Sequence, residues 1–123
     1  MLNISRHKVE LSQVLLWIYK DSLLSGALGF KGGTAAYLFY NLPRFSTDLD
    51  FDLLNDREGL DKRLSSLIST HYQIKDQSVK SNTRFWLISY GKGDTQIKIE
   101  ISTRKFPNSY EGRNFYGATI QVI

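Results

Sequence analysis

The chain has no cysteine, two prolines and one methionine among its 123 residues. The lack of cysteine excludes a disulfide scaffold. Long apolar runs are missing as well, because the longest extends only from Val14 to Tyr19, which is far too short to cross a bilayer. The N-terminus also lacks the basic-then-apolar order of a secretory signal. We therefore predict a cytoplasmic protein with no membrane-embedded part.

The chain does contain enough apolar material for one domain spanning residues 1–123. Hydrophobic residues make up 41% of the sequence and aromatic residues 13%, which suffices for a single packed core at this length. Lys and Arg number 16 against 12 Asp and Glu, so the formal net charge is +4. If the four acids Asp48, Asp50, Asp52 and Glu100, which we expect to lie together, are subtracted from the 12, 8 acids remain against the same 16 basic residues. This excess suits a polyanionic partner such as RNA, but it is also common in proteins that bind no nucleic acid.

The strongest local pattern is the alternation between Arg44 and Leu53. If this segment is a strand, successive side chains point to opposite faces. One face is apolar: Phe45, Leu49, Phe51 and Leu53. The other face is polar: Arg44, Ser46, Asp48, Asp50 and Asp52. Carboxylates two residues apart on one face can converge on one or two divalent ions, although acidic residues also line ordinary solvated strand faces.

A glycine pair upstream favours phosphate chemistry at the same place. We predict a strand over residues 27–30 and a short helix from Thr34 to Asn41, ended by Pro43. Between them, Gly32 and Gly33 would let backbone N–H groups approach a phosphate, and the helix would direct its positive end to the same spot. We expect a positive φ at Gly33. The alternative is a tight turn before a helix.

Together these residues resemble the polymerase-beta-type nucleotidyltransferases, and within them the AbiEii/AbiGii abortive-infection toxin family. The likeness consists of Gly32-Gly33-Thr34 followed by Arg44-x-Ser46-x-Asp48-x-Asp50, and it covers residues 28–53 closely. It implies an α+β fold, with a nucleotidyltransferase-like mixed sheet and helices packed mainly on one side.

The resemblance also implies roles for these residues. Asp48 and Asp50 would bind two Mg²⁺ or Mn²⁺ ions, and Gly32, Gly33 and Thr34 would bind the β- and γ-phosphates of a nucleoside triphosphate. From their positions, Arg44 would neutralise a phosphate and Ser46 would hold an aspartate rotamer. The activity implied is transfer of a nucleoside monophosphate to an acceptor hydroxyl on RNA, tRNA included, or on protein. An antitoxin would oppose such a toxin.

The superfamily takes a third carboxylate from a neighbouring strand, and Glu100 is the candidate. It lies in a predicted strand over Thr95 to Ser102, where Ile97, Ile99 and Ile101 alternate with polar residues. The usual residue there is Asp, so Glu100 departs from the pattern and either weakens the site or shifts the metal. The competing interpretation is an exposed Glu beside Lys98.

The remaining segments indicate scaffold. We predict a helix over residues 5–25 with a solvated His7, and a helix that starts from an Asn55-x-x-Glu58 capping box and ends near Tyr72. Residues 73–80 are predicted as an edge strand and 83–90 as a central strand that places Trp86 and Tyr90 in the core. Residues from Thr103 are predicted to be irregular as far as a final strand over 118–123. Because that strand is apolar, and because family members continue into a helical region with a nucleotide-site lysine, we expect such a region to be missing.

Three alternatives stay open. The first is a nucleotide- or metal-binding module of the same fold without turnover. The second is an EF-hand, since Asp48-x-Asp50-x-Asp52 opens like its loop, but Leu53 replaces the turn glycine and Gly59 the bidentate Glu. The third is a glycosyltransferase Asp-x-Asp, which does not explain the glycine loop.

Overall fold

The computed structural model describes residues 2–41, 43, 45–93, 95–104 and 109–122. Three helices occur in this part of the chain: α1 (Ile4–Lys20), α2 (Gly32–Phe39) and α3 (Leu60–His71). None of them is long and apolar enough to span a membrane. Seven strands accompany them: β1 (Leu28–Lys31), β2 (Leu49–Leu53), β3 (Gln73–Lys80), β4 (Thr83–Ser89), β5 (Gln96–Ser102), β6 (Glu111–Phe115) and β7 (Ala118–Val122).

The strands form one mixed sheet in the order β3-β4-β5-β2-β1-β7-β6. The β2/β5 and β1/β7 pairs are parallel, and the other neighbours are antiparallel. The predicted mixed sheet with helices is thus confirmed. β3 is the edge strand that its polar sequence predicted, and β4 lies inside the sheet.

One face of the sheet is apolar and forms the core with α1 and α3. Side chains on this face come from five strands, and they are buried: Leu28, Phe30, Leu49, Phe51, Trp86, Ile88, Ile97, Ile99, Ile101, Ile120 and Val122. From α1, Leu11, Val14, Leu15 and Ile18 are buried. Their spacing of three and four residues places them on one side of the helix. α3 adds Leu60, Leu64 and Ile68.

The prediction that the first helix reaches residue 25 is wrong, because α1 ends at Lys20. The Asp21 carboxylate accepts hydrogen bonds from the backbone N–H groups of Leu23 and Leu24 at 3.2 and 3.1 Å. It also pairs with Arg63 at 2.6 Å. A side chain that binds the next backbone donors competes with continuation of the helix.

The predicted capping box is also wrong. α3 begins at Leu60 after Gly59, whose φ is +80°, and no side chain caps it. The Asn55 side chain instead donates to the carbonyl of Gly26 at 2.8 Å. A long-range partner has replaced the local one.

A further strand lies in the segment predicted to be irregular. β6 forms a hairpin with β7 through Tyr116 and Gly117, whose φ angles are +46° and +87°. Because β6 is an exposed edge strand, Glu111-Gly112-Arg113-Asn114-Phe115 shows no apolar alternation. The predicted final strand is confirmed as β7.

Candidate functional site

The polar face of β1, β2 and β5 brings acidic residues together. Lys31, Asp50 and Glu100 are direct cross-strand neighbours on these three strands. Adjacent strands lie about 5 Å apart, so the Asp50 and Glu100 backbones are close enough for their carboxylates to share a ligand. The parallel β2/β5 pairing therefore joins two of the residues predicted for the site.

Asp48 and Lys98 form a second row beside the first. Asp48 lies immediately before β2, and its Oδ2 is 3.8 Å from Lys98 Nζ. The same ammonium is 3.5 Å from Glu100 Oε1. Lys98 thus lies beside two of the three predicted carboxylates. The sequence places it only beside Glu100.

Asp50 is a carboxylate whose pKa is shifted by burial and by its neighbours. Burial raises the pKa of Asp50 above its usual range, and the charges of Glu100 and Asp48 raise this pKa further. Lys98 and Lys31 oppose the rise but do not cancel it. The two lysines therefore do not balance the negative charge of the carboxylates around Asp50. Such an excess of negative charge favours a bound cation.

The structure corrects the extent of the acidic strand. Residues 45–48 belong to no strand, and β2 comprises only Leu49–Leu53. Phe45 therefore does not continue the apolar face of β2. Its ring packs against those of His7 and Tyr37 at centroid distances of 5.9 and 5.4 Å. Arg44, predicted to neutralise a phosphate, lies outside the described residues.

Asp52, predicted on the open acidic face, is instead buried and only 5% exposed. Lys31 Nζ lies 2.7 Å from its Oδ1, and the Tyr110 hydroxyl donates to its Oδ2. Sequence reasoning missed both partners, because neither the β1/β2 register nor the approach of Tyr110 leaves a local pattern. Asp52 is therefore a structural anchor for Lys31, next to the glycine loop.

The glycine loop lies against the acidic residues. Gly32 has a φ of +87°, and a Cβ built on it would lie 2.9 Å from Asp50 Oδ2. A Cβ on Gly33 would lie 3.1 Å from Ser46 Oγ. The expected positive φ thus occurs at Gly32 and not at Gly33. Because α2 begins at Gly32, two residues before the predicted start, both glycines belong to its first turn, where backbone N–H groups lack intrahelical partners.

The hydroxyl of Thr34 does not face the loop. Thr34 is fully buried and donates to the backbone carbonyl of Asp48. The carboxylate of Asp48 is instead reached by the hydroxyl of Thr47, which lies 3.4 Å from its Oδ1. Ser46 was predicted to bind an aspartate, and the structure places it over Gly33 instead.

The prediction of a solvated His7 is wrong, because this side chain is 1% exposed. Its Nδ1 is 2.7 Å from the Tyr90 hydroxyl and its Nε2 is 3.0 Å from the Thr47 carbonyl. The helical spacing contained the signal, since His7 precedes the buried Leu11 by four residues and so shares its face. Of the two predicted core aromatics, Trp86 is 1% exposed and Tyr90 is half-buried.

The donor set suits a hard divalent cation in kind, since Asp48, Asp50 and Glu100 supply only oxygen ligands. Among the residues that the structure describes, no three His, Cys, Asp or Glu side chains are yet arranged closely enough to hold a metal ion. The pKa of Asp50 stays raised although Lys98 and Lys31 oppose the rise, which agrees with a site that is short of positive charge.

The mixed sheet, the glycine loop at the start of α2 and the neighbouring carboxylates define the nucleotidyltransferase class of fold. The chain belongs to the AbiEii family, described as the nucleotidyl transferase AbiEii toxin of a type IV toxin-antitoxin system, whose family model matches residues 15–120. No curated protein sequence gives a significant match to the chain.

Solved structures support the same fold. A Helicobacter pylori protein assigned to the nucleotidyltransferases is 27% identical, with a TM-score of 0.63 over 94% of this chain and 52% of its own. Helicobacter pylori JHP933 is 26% identical, with a TM-score of 0.64 over 96% of this chain and 51% of its own. The chain thus spans about half the length of these two proteins. A Thermotoga maritima protein with a nucleotidyltransferase assignment shares the fold, with a TM-score of 0.58 at 12% identity over 100% of this chain and 80% of its own.

Proposed function

We propose that this chain transfers a nucleoside monophosphate from a nucleoside triphosphate to an acceptor hydroxyl, with release of pyrophosphate, in a reaction that depends on Mg²⁺ or Mn²⁺. The observation that supports the proposal most directly is the contact between the loop and the carboxylates. A Cβ on Gly32 would lie 2.9 Å from Asp50 Oδ2. A phosphate bound by the loop would therefore lie next to the acidic residues.

In this proposal Asp48 and Asp50 bind the cation, and Glu100 completes its shell or accepts the proton of the acceptor. When bound, a divalent cation lowers the pKa of the acceptor hydroxyl and offsets charge on the leaving pyrophosphate. In the metal-free chain Lys98 offsets part of the repulsion between Asp48 and Glu100.

The first turn of α2 binds the phosphates in this proposal. Its backbone N–H groups around Gly32 and Gly33 are donors without intrahelical partners, and the helix dipole adds positive potential there. Side chains larger than hydrogen at these two positions would contact Asp50 and Ser46 instead of leaving space for a ligand. Arg44 neutralises a phosphate in this scheme, and Thr34 positions Asp48 through its carbonyl.

We further propose that the reaction makes the protein a toxin acting in the cytoplasm, with a cognate antitoxin as its partner. The family assignment supports this role. The acceptor is RNA, tRNA included, or a protein, and the formal charge of +4 suits RNA.

A double Asp48→Asn, Asp50→Asn substitution tests the proposal. We expect it to abolish Mn²⁺ binding in calorimetric titration and transfer of labelled nucleotide to cellular RNA or protein, because the double variant lacks the two carboxylate charges that the cation requires. A matched control replaces two exposed acids outside the site, Glu58→Gln with Asp76→Asn, and should leave both measurements unchanged. Unchanged Mn²⁺ affinity in the first double variant would refute the metal site.

A second candidate function is binding without turnover. The position of Lys98 favours it, because the ammonium already lies 3.8 Å from Asp48 and 3.5 Å from Glu100. Titration with each triphosphate, beside the transfer assay, separates the two functions. Saturable triphosphate binding with no labelled product for any triphosphate would support the binding module.

A further inference from the structure

Asp48 lies on a segment that no strand ladder orients. Residues 45–48 precede β2 and belong to no strand. Two buried side chains from two helices bind this segment. His7 of α1 is 1% exposed and Thr34 of α2 is fully buried. We call these two side chains the carbonyl clamp.

The hydrogen-bonding roles of His7 follow from its partners. A backbone carbonyl only accepts, so the Nε2 that lies 3.0 Å from the Thr47 carbonyl must bear the hydrogen. In the neutral ring Nδ1 then accepts from the Tyr90 hydroxyl at 2.7 Å. Both ring nitrogens are thus used, and the one that points to the site is a donor.

The clamp binds two consecutive carbonyls. The Thr47 carbonyl, bound by His7, belongs to the peptide plane that enters Asp48. The Asp48 carbonyl, bound by Thr34, belongs to the plane that leaves it. Each peptide group is rigid and planar, so a hydrogen bond to the carbonyl of each plane restrains φ and ψ of Asp48. The direction of its Cα–Cβ bond is then restrained as well.

We propose that His7 is a positioning residue for Asp48, whose carboxylate it holds in the orientation that reaches Lys98. This inference rests on the proposed function, since the orientation of Asp48 matters to the reaction only if the carboxylates bind the cation. An apolar residue would fill the space at position 7 without the cost of burying an imidazole. The use of Nε2 on a backbone carbonyl next to Asp48 explains why a histidine is there.

Three variants separate positioning from packing. His7→Phe keeps a ring against Phe45 and Tyr90 but loses both hydrogen bonds. His7→Gln keeps a donor that corresponds to Nε2 and can still reach the Thr47 carbonyl. The matched control is His71→Phe, at the other histidine of the chain, which is exposed and stacks on Trp17 at a centroid distance of 3.7 Å.

The first measurement needs neither metal nor nucleotide. NMR chemical shifts and amide hydrogen exchange of residues 45–49 report on the segment in the chelator-treated protein. We expect His7→Phe to accelerate exchange and displace the shifts there, while His7→Gln and His71→Phe stay close to the wild type. Unaltered shifts and exchange in a folded His7→Phe variant would overturn the proposal.

The second measurement is Mn²⁺ affinity by calorimetry. Loss of a group that orients a metal ligand typically weakens metal binding by about 10- to 100-fold, and we expect this loss in His7→Phe and recovery of most of it in His7→Gln. Equal affinities for His7→Phe and wild type, or equally weak binding by His7→Gln and His7→Phe, would contradict positioning through the Thr47 carbonyl.

Failure of the proposed function would look different. If the wild type binds no Mn²⁺, the metal site is refuted, and the exchange measurement alone decides whether the clamp exists. If His7→Phe does not fold, His7→Asn replaces it, because its amide corresponds to Nδ1 and does not reach Thr47. A wild-type-like segment in His7→Asn would then overturn the proposal, and a displaced segment beside a normal His7→Gln would support it.

Discussion

Asp50 combines the two effects that make a carboxyl group hard to ionise. It is partly buried, and the nearest charges include those of Glu100 and Asp48, so its pKa is raised above the usual 3.8. The folded chain then holds a proton at Asp50 at pH values where the unfolded chain has released it. The contribution of Asp50 to the free energy of unfolding is therefore lost as pH rises from 3.8 toward the raised pKa of the folded state.

Asp50→Asn should remove this pH-dependent loss. In metal-free buffer, we expect the free energy of unfolding of the wild type to fall across that window relative to the variant. The variant should be at least as stable as the wild type at neutral pH, because repulsion by Glu100 and Asp48 is gone. Urea denaturation at a series of pH values measures this. Asp76→Asn, on the exposed edge strand β3, is the control, and parallel pH profiles for wild type and Asp50→Asn would contradict the prediction.

At the scale of the element, the turn from β1 into α2 needs glycine for two separate reasons. Gly32 has a φ of +87°, which side chains rarely tolerate, and it has no space for a Cβ beside Asp50. Gly117, in the β6/β7 hairpin, has the same φ of +87° but nothing within 4 Å of a built Cβ. A substitution at Gly117 would therefore cause backbone strain alone, whereas the same substitution at Gly32 would cause backbone strain and a contact with Asp50.

We expect Gly32→Ala and Gly117→Ala to differ. Gly117→Ala should lose about 1–2 kcal/mol, the cost of a left-handed conformation in an L-residue, and should keep its Mn²⁺ affinity. Gly32→Ala should lose more stability and bind Mn²⁺ more weakly, because the methyl group displaces the Asp50 carboxylate. Urea denaturation and calorimetry measure the two effects. Equal stability losses with unchanged Mn²⁺ affinity in both variants would show that glycine is needed at position 32 only for its positive φ.

At the scale of the whole molecule, the last hairpin completes the core. β7 pairs in parallel with β1 through Phe30 and Val122, and Ile120 and Val122 are fully buried. α1 also packs on β7. The strand that ends in the glycine loop thus has β2 on one side and β7 on the other.

Ile120→Ala should therefore destabilise the whole fold. Truncation of a buried isoleucine typically costs about 2–5 kcal/mol, whereas Val79→Ala on the edge strand β3, where Val79 is 69% exposed, should change stability by less than about 0.5 kcal/mol. Urea denaturation at neutral pH compares them. If Ile120→Ala were as mild as Val79→Ala, the hairpin would not belong to the cooperative core.

The sequence predicted best where one local period decided the outcome. β5 alternates strictly, and Ile97, Ile99 and Ile101 are buried as expected. The predicted N-terminal helix is also found, as α1, but His7, which is predicted to be solvated, is the first of its buried residues. The predicted capping box at Asn55 and the predicted helix end at residue 25 are wrong for another reason. The side chains of Asn55 and Asp21 bind Gly26 and Arg63, which lie far away in sequence.

The sequence by itself determined which residues form the site: a glycine pair between a strand and a helix, and acidic residues at every second position from Asp48. These features are local, because the two-residue period of a strand and the freedom of glycine act within a few residues. Only the tertiary structure decided that Asp50 meets Glu100, that Asp52 turns inward to Lys31, and that His7 reaches Thr47. Register between strands and contacts between distant segments depend on which surfaces pack together, and no local pattern specifies that choice.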